Sequence, residues 1–396
     1  YGSDVRQQAF FTDERSSYGF IMGKVIATVE CGVAAFIRHL ESGITGDVVL
    51  PDIDAENDFS TNYLRVFAQP KLELNLRRIN FNLTVPLNYY SYFFGGALKN
   101  RNEVFVSPNL SIQWKPNARH TVNIAASARR TPASLGNILR GDILADYRTF
   151  NAGIDDYYAF TGQTVQGRWE WRNPRVGWFG TLFLEQSWNQ MKYGTAQTII
   201  GDYVINSYRS EPSKSESSSI FGRVQKSLDA LSSTISFNAG YRRGSSSVFS
   251  QGNPVDRKTG TLNLSTFADM KFLSWLNGTY GFSFARNTLD LSDMPSNRID
   301  SYTHNFSLSA TPGKWIFRVY GNHNRNRIER HVYENVLSIA GFIRYHINSR
   351  FQLQLNAHNL LDKRRIVNRS FSELGSVEST SYRRGRQFLV TLRIIK

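Results

Sequence analysis

Apolar and polar residues alternate strictly over long stretches of this chain, most clearly near its C-terminal end. In residues 351–358, Phe351, Leu353, Leu355 and Ala357 fall on one parity and Gln352, Gln354, Asn356 and His358 on the other. Residues 387–394 repeat the pattern, with Phe388, Val390, Leu392 and Ile394 opposite Gln387, Thr391 and Arg393. A period of two is the strand period, and a strand with one greasy and one wet face separates two different media.

The same rhythm runs back through the chain. A weak strand over 6–23 is broken by the polar run 12–17. From 24 to 38 the odd positions Val25, Ala27, Val29, Cys31, Val33, Ala35 and Ile37 are apolar, and an acidic loop over 41–61 follows. Leu64, Val66, Ala68, Pro70, Leu72 and Leu74 then oppose Arg65, Gln69, Lys71, Glu73 and Asn75. After Arg77-Arg78 the chain returns through Ile79, Phe81, Leu83, Val85 and Leu87 to the aromatic group at 89–94, which is expected to mark a headgroup girdle. Further pairs turn at 116–118, 173–174, 229–230, 274–275, 312–313 and 348–349. Long polar segments separate them at 130–157, 191–218, 245–257, 287–300 and 322–333.

Most strands run past the roughly five or six residues usual in soluble sheets, and no blade-length repeat of a propeller is present. Tight turns and long loops alternate. The pattern predicts an all-β, transmembrane antiparallel up-and-down β-barrel over residues 1–396, with about sixteen or seventeen strands visible. A soluble all-β array is the competing architecture.

Composition sharpens this. Hydrophobic residues make up 41% and aromatic residues 13% of 396 residues, with 27 Phe, 19 Tyr and 7 Trp. Mean hydropathy is nonetheless −0.37. No run approaches the roughly 18 apolar residues of a membrane-spanning helix, which excludes a helical membrane protein and leaves a barrel open. The single cysteine, Cys31, allows no internal disulfide and reads as an inert buried or lipid-facing thiol. The net charge of +15 is scattered over alternate strand positions and turns, without a basic run, so it points away from nucleic acid. Anionic lipid or an anionic solute suits that distribution.

The segments Asn359-Leu-Leu-Asp362-Lys363-Arg364 and Gly385-Arg386-Gln-Phe388, with Ala128-Arg129-Arg130-Thr131-Pro132, resemble the C-terminal barrel region of TonB-dependent outer-membrane receptors, particularly the Bacteroidota type. The resemblance implies a bacterial cell outer-membrane receptor or transporter. It also implies a barrel of about twenty-two strands around an N-terminal plug domain; either that plug and the first strands are missing here, or the chain is a smaller relative without the import machinery. Outer-membrane lipid and lipopolysaccharide would be its surroundings, and TonB, a surface lipoprotein or other outer-membrane subunits its partners. Energy coupling would need a plug and a TonB-contacting segment upstream. The chain starts without Met or an apolar leader, so it reads as processed or as a fragment.

No cofactor, metal or catalytic motif stands out. His323 and His331 flank one expected loop, and His304, His346 and His358 fall on separate strands, without metal-ligand spacing. Nor is there a nucleophile elbow or a phosphate loop, so the chain reads as no enzyme. Arg140-Gly141-Asp142 reads as a chance tripeptide. The basic residues on the polar parity are the candidate site: Arg129, Arg168, Arg172, Arg242, Arg318 and Arg344, with Arg65, Lys71, Lys115 and Lys271. Charges there can face a lumen, whereas near the lipid midplane each would cost about 2–4 kcal/mol. They either give the lumen a positive field for an anionic solute or pair with Glu73, Glu170, Glu185 and Asp269 as filling. The function expected is uptake of a bulky solute; the alternative is a non-transporting barrel subunit that scaffolds an outer-membrane complex.

Overall fold

In the computed structural model, the described residues are 2–45, 56–95, 98–132, 141–146, 148–154, 156–292, 294–329, 332–372 and 375–394. They form β1 (Gly2–Met22), β2 (Val25–Thr45), β3 (Glu56–Asn75), β4 (Ile79–Thr84), β5 (Leu87–Phe94), β6 (Arg101–Val106), β7 (Asn109–Asn117) and β8 (His120–Pro132). Then come β9 (Asp142–Asp146), β10 (Thr149–Ala152), β11 (Ala159–Asn173), β12 (Trp178–Met191), β13 (Gly194–Ile200), β14 (Tyr203–Arg209), β15 (Ser213–Leu228) and β16 (Ser233–Ser250). The remainder are β17 (Asn253–Leu273), β18 (Leu276–Leu291), β19 (Met294–Ala310), β20 (Trp315–Glu329), β21 (Val332–His346), β22 (Phe351–His358), β23 (Arg365–Ser372), β24 (Gly375–Tyr382) and β25 (Gln387–Ile394). Twenty-three of these strands belong to one sheet, and β23 with β24 makes a second, two-stranded one.

The expected all-β, antiparallel up-and-down architecture is what the chain adopts. The expected strand count is recovered once β4 joins β5, β6 joins β7, and the loop strands β9, β10, β13, β14, β23 and β24 are set aside; seventeen then remain. The loops differ most from expectation. Residues 245–257 are largely strand, since β16 and β17 meet at Gln251 and Gly252 in left-handed conformation. Likewise β20 runs to Glu329, so His323 lies in a strand and not beside a loop. Polar hairpins keep pairing because an unpaired backbone N–H or C=O is costly wherever water does not reach it.

Tight turns are closed by side chains. The Asn117 Oδ1 accepts from the N–H groups of Arg119 (2.9 Å) and His120 (3.1 Å), and the Asn348 Oδ1 accepts from Arg350 and Phe351, both at 2.9 Å. Asn mimics a backbone turn in this way. At 312–313 the Pro fixes one turn residue and Gly313 supplies the positive φ of 59°.

By their contacts the residues group into two compact units. One comprises Tyr1–Arg168, Glu185–Ser218 and Gly244–Arg257; the other comprises Trp169–Leu184, Ser219–Arg243 and Lys258–Lys396. In the first unit, β1 to β8 form an antiparallel meander whose register is continuous except for a shift between Trp114 and Asn117 beside the β7–β8 turn. Prolines interrupt it without slipping it. Ala68 opposes Leu87 on one side of Pro86 and Lys71 opposes Thr84 on the other, which is one uninterrupted register. The carbonyls of Pro70, Pro86 and Pro108 accept from Val85, Ser107 and Ala128, each in the next strand.

The core of this unit lies on the polar-parity face. Leu40, Phe59, Tyr92, Phe105 and Tyr157 are buried together, with Tyr63, Tyr90 and Phe94 packed around them. The aromatic group at 89–94, expected as a girdle, therefore splits. Tyr89 and Phe93 are exposed on the apolar parity, whereas Tyr92 is 1% exposed and its ring lies 4.8 Å from that of Tyr157. Six consecutive positions with one serine leave neither parity polar, and such a strand is covered on both faces.

The covering comes from the chain's own long segment. Asn57 accepts from Gly141 N–H at 2.7 Å and donates to Ser42 Oγ at 2.9 Å, fastening the start of β9 to β2 and β3. Ile143 and Tyr157 complete the cluster. Glu103 then bridges Arg101 (2.6 Å) and Arg130 (3.2 Å), whose guanidinium groups lie over Tyr157 and Phe105. Gly141 and Asp142 are thus structural; Arg140, like His331, lies outside the described residues.

Candidate functional site

In the second unit the polar parity stays polar and builds a different surface. Strands β18 to β22 and β25 pair in simple antiparallel register, so one face collects Thr303, Asn305 and Ser307 of β19, Arg318, Tyr320, Asn322 and Asn324 of β20, and Ser338 and Arg344 of β21. Their side chains bond to one another across strands. Asn322 donates to Asn305 at 2.7 Å, Thr303 donates to Asn324 at 2.9 Å, and Asn324 donates to Asn322. Gln352 lies 3.2 Å from His346, and Arg344 Nε donates to Gln354 at 2.8 Å. Amides that bond in series leave N–H donors facing the open side of the sheet.

The residues that carry the family resemblance gather at one end of this surface. Asn359 and Asp362 both take positive φ, and the Asn359 amide donates to the Lys363 carbonyl (3.1 Å) and the Arg384 carbonyl (2.9 Å) while accepting from Lys363 N–H (3.0 Å). Asp362 accepts from Arg364 Nε (3.0 Å) and Arg386 N–H (3.2 Å). The hydrogen bond from Arg364 holds the Asp362 carboxyl below the usual carboxylate range. Gly385 fits because a Cβ there would stand 2.7 Å from Asp362 Oδ1. The motif is a clamp on the root of the β23–β24 hairpin. Leu360 N–H donates to the Ile339 carbonyl, which draws that root toward β21.

Between the clamp and the amide ladder lies a cavity of about 390 Å³, lined by Thr279, Asn305, Ser307, Tyr320, Asn322, Ser338, Asn359, Arg383 and Arg384. Phe306, Gly321, Ile339 and Ala340 complete it, so amide, hydroxyl, guanidinium and phenol groups sit in a lining that is largely apolar. Such a lining binds oxyanions and hydroxyl groups and has no nucleophile–base pair in it.

The basic residues singled out in the sequence occupy several settings. Arg318 donates to Ser307 at 3.2 Å and Arg344 to Gln354, both neutral partners. Arg172 pairs with Glu170 at 2.7 Å, and Lys71 with Glu73. Arg65 pairs with Asp13 at 3.0 Å and lies over Phe67, an acid that strand parity alone did not select. Arg129 lies over the Phe160 ring. Arg168, Arg242 and Lys115 are exposed. The Lys271 N–H, rather than its ammonium, is bonded, to Ser233 Oγ. Of these, Arg318 and Arg344 stand on β20 and β21, strands whose residues line the cavity. Arg383 and Arg384 escaped notice because they lie in a loop, where parity has no meaning. Among the described residues no cluster of three or more metal-ligating side chains occurs.

No protein family and no curated protein matches the sequence. Among solved structures, the open form of the ferric-catecholate import receptor Fiu from Escherichia coli aligns over 99% of this chain and 80% of its own, at 9% identity and a TM-score of 0.34. A loop-deletion mutant of OmpT, an outer membrane protein of Vibrio cholerae, aligns over 87% and 99%, at 11% identity and 0.33. The copper transporter OprC aligns over 100% and 80%, at 10% identity and 0.30. At these scores the superpositions carry no argument about this chain.

Proposed function

We propose that this chain is the wall of a β-barrel in a bacterial outer membrane and that it serves the uptake of a bulky, anionic solute. The observation that carries the reading is inverted polarity. Phe351, Leu353 and Leu355 are 38%, 44% and 42% exposed, while Gln352 between them is 7% exposed. A soluble strand does the reverse, because water would cover the polar side. Exposed Val319 and Ile343 extend the same apolar face, and in the first unit Val33, Ile37, Leu64 and Val66 are exposed on the apolar parity in the same way. Cys31 shares that parity and is exposed, as a lipid-facing thiol would be.

Arg318, Arg344, Arg383 and Arg384 favour an anion, and the cavity beneath the hairpin is large enough for part of a bulky solute. The resemblance to Bacteroidota-type TonB-dependent receptors supports energy-coupled uptake, which needs a plug and a TonB-contacting segment joined to this chain. The packed polar-parity face of the first unit favours a second reading, a non-conducting barrel subunit that scaffolds an outer-membrane complex.

Reconstitution in planar lipid bilayers separates the two. Uptake predicts discrete conductance with anion preference that falls in an Arg318→Gln/Arg344→Gln variant. A barrel that inserts yet conducts nothing overturns uptake in favour of the scaffold. A chain that remains soluble without detergent overturns both.

A further inference from the structure

The apolar face of β18 to β21 carries one polar interruption. Below it lie the exposed Leu308, Phe317 and Val319. Then His304 of β19 and His323 of β20 stand directly opposite each other, rings stacked with centroids 5.5 Å apart. Tyr280 O–H lies 2.8 Å from His304 Nδ1, and Phe282 tilts against the same ring at 5.0 Å. One row further, Tyr302 faces Arg325, whose guanidinium lies 4.3 Å from the centroid of the Tyr333 ring. Beyond that row Asp300 is held between Arg286 (2.8 Å) and Arg298 (2.5 Å). The face thus grades from aliphatic to imidazole to guanidinium within a few strand rows.

Where the Tyr280 hydroxyl donates to Nδ1, the neutral His304 ring carries its hydrogen on Nε2 and is a donor there. That donor, His323 and Arg325 stand side by side at the border of an apolar apron. A small soluble anion would satisfy the donors and leave the apron bare; a hydrocarbon would do the opposite. We infer that this patch binds the phosphate of a membrane lipid, with the His304–His323 pair and Arg325 on the phosphate oxygens and the acyl chains over Leu308, Phe317 and Val319. The shared chemistry is a phosphate joined to acyl chains, whether from a glycerophospholipid or from the lipid A of lipopolysaccharide. The inference rests on the apolar face meeting lipid, and not on whether the barrel conducts.

The test is native mass spectrometry of the detergent-purified full chain offered four probes: phosphatidylglycerol, lipid A, dioleoylglycerol and inorganic phosphate. Expected is retention of a phosphate lipid but of neither dioleoylglycerol nor inorganic phosphate, reduced about tenfold in a His304→Phe/His323→Phe/Arg325→Leu variant. Arg325→Lys, which keeps the charge, restores part of it and shows that the loss is not misfolding. Preference for lipid A over phosphatidylglycerol, or the reverse, identifies the source. Equal retention of dioleoylglycerol, or retention unchanged in the triple variant, overturns the proposal. If the variant still inserts and conducts, the barrel reading stands without it; if the wild-type chain never enters lipid, both fall.

Discussion

The two units treat the same strand parity in opposite ways. In the first, the side that the rhythm marks as polar is packed: Leu40, Phe59, Tyr92 and Phe105 are buried with Tyr157 and against Ile143. In the second, it is a surface of amides and guanidinium groups, with a cavity under a clamped hairpin. One face is packed for stability, and the other keeps its polar groups at a surface.

Substitution at the two faces should therefore differ most in cost. Phe105→Ala removes a buried ring and should destabilise by about 3–5 kcal/mol, against roughly 1 kcal/mol for Asn322→Ala, whose partner Asn324 keeps its bond from Thr303. Denaturant unfolding in detergent micelles measures both, and equal losses would erase the distinction. On the apolar side, Leu353→Arg should cost about 2–4 kcal/mol and the neighbouring Gln354→Glu, which keeps an acceptor for Arg344, far less. Partition between folded, membrane-inserted and aggregated protein reads that pair. Asn57→Ala strips the bonds that fasten 141–142 and should cost about 1–3 kcal/mol, with hydrogen exchange accelerating in β9 before β3.

The smallest effect belongs to the clamp. The Asp362 carboxyl lies below its ordinary value, so its stabilising contribution is complete above that ordinary value, roughly 3.9. It is lost as pH falls through the lowered one. A spin label at Thr380, with Cys31 replaced by Ser, should gain mobility over that acid range and remain unaffected between pH 6 and 8.

The strand rhythm made the architecture and the turns legible, because tight Asn and Pro-Gly turns and period-two faces are local properties. Filling of the first unit was legible too, but only where alternation fails: Tyr90, Tyr92 and Phe94 on the parity of Asn88, and Phe105 on that of Glu103. Those residues look like a headgroup girdle until Ile143 and Tyr157 are seen to pack on them. Arg318 and Arg344 were found by parity, since strands fix the direction of a side chain. Arg383 and Arg384 were not, because their position depends on Asn359 drawing in a hairpin root twenty-five residues away in sequence.

The three prolines Pro70, Pro86 and Pro108 leave gaps in three successive rungs while the strands stay in step on either side. Each proline still offers its carbonyl to the neighbouring strand, so the sheet carries three missing donors without any side chain passing from one medium to the other.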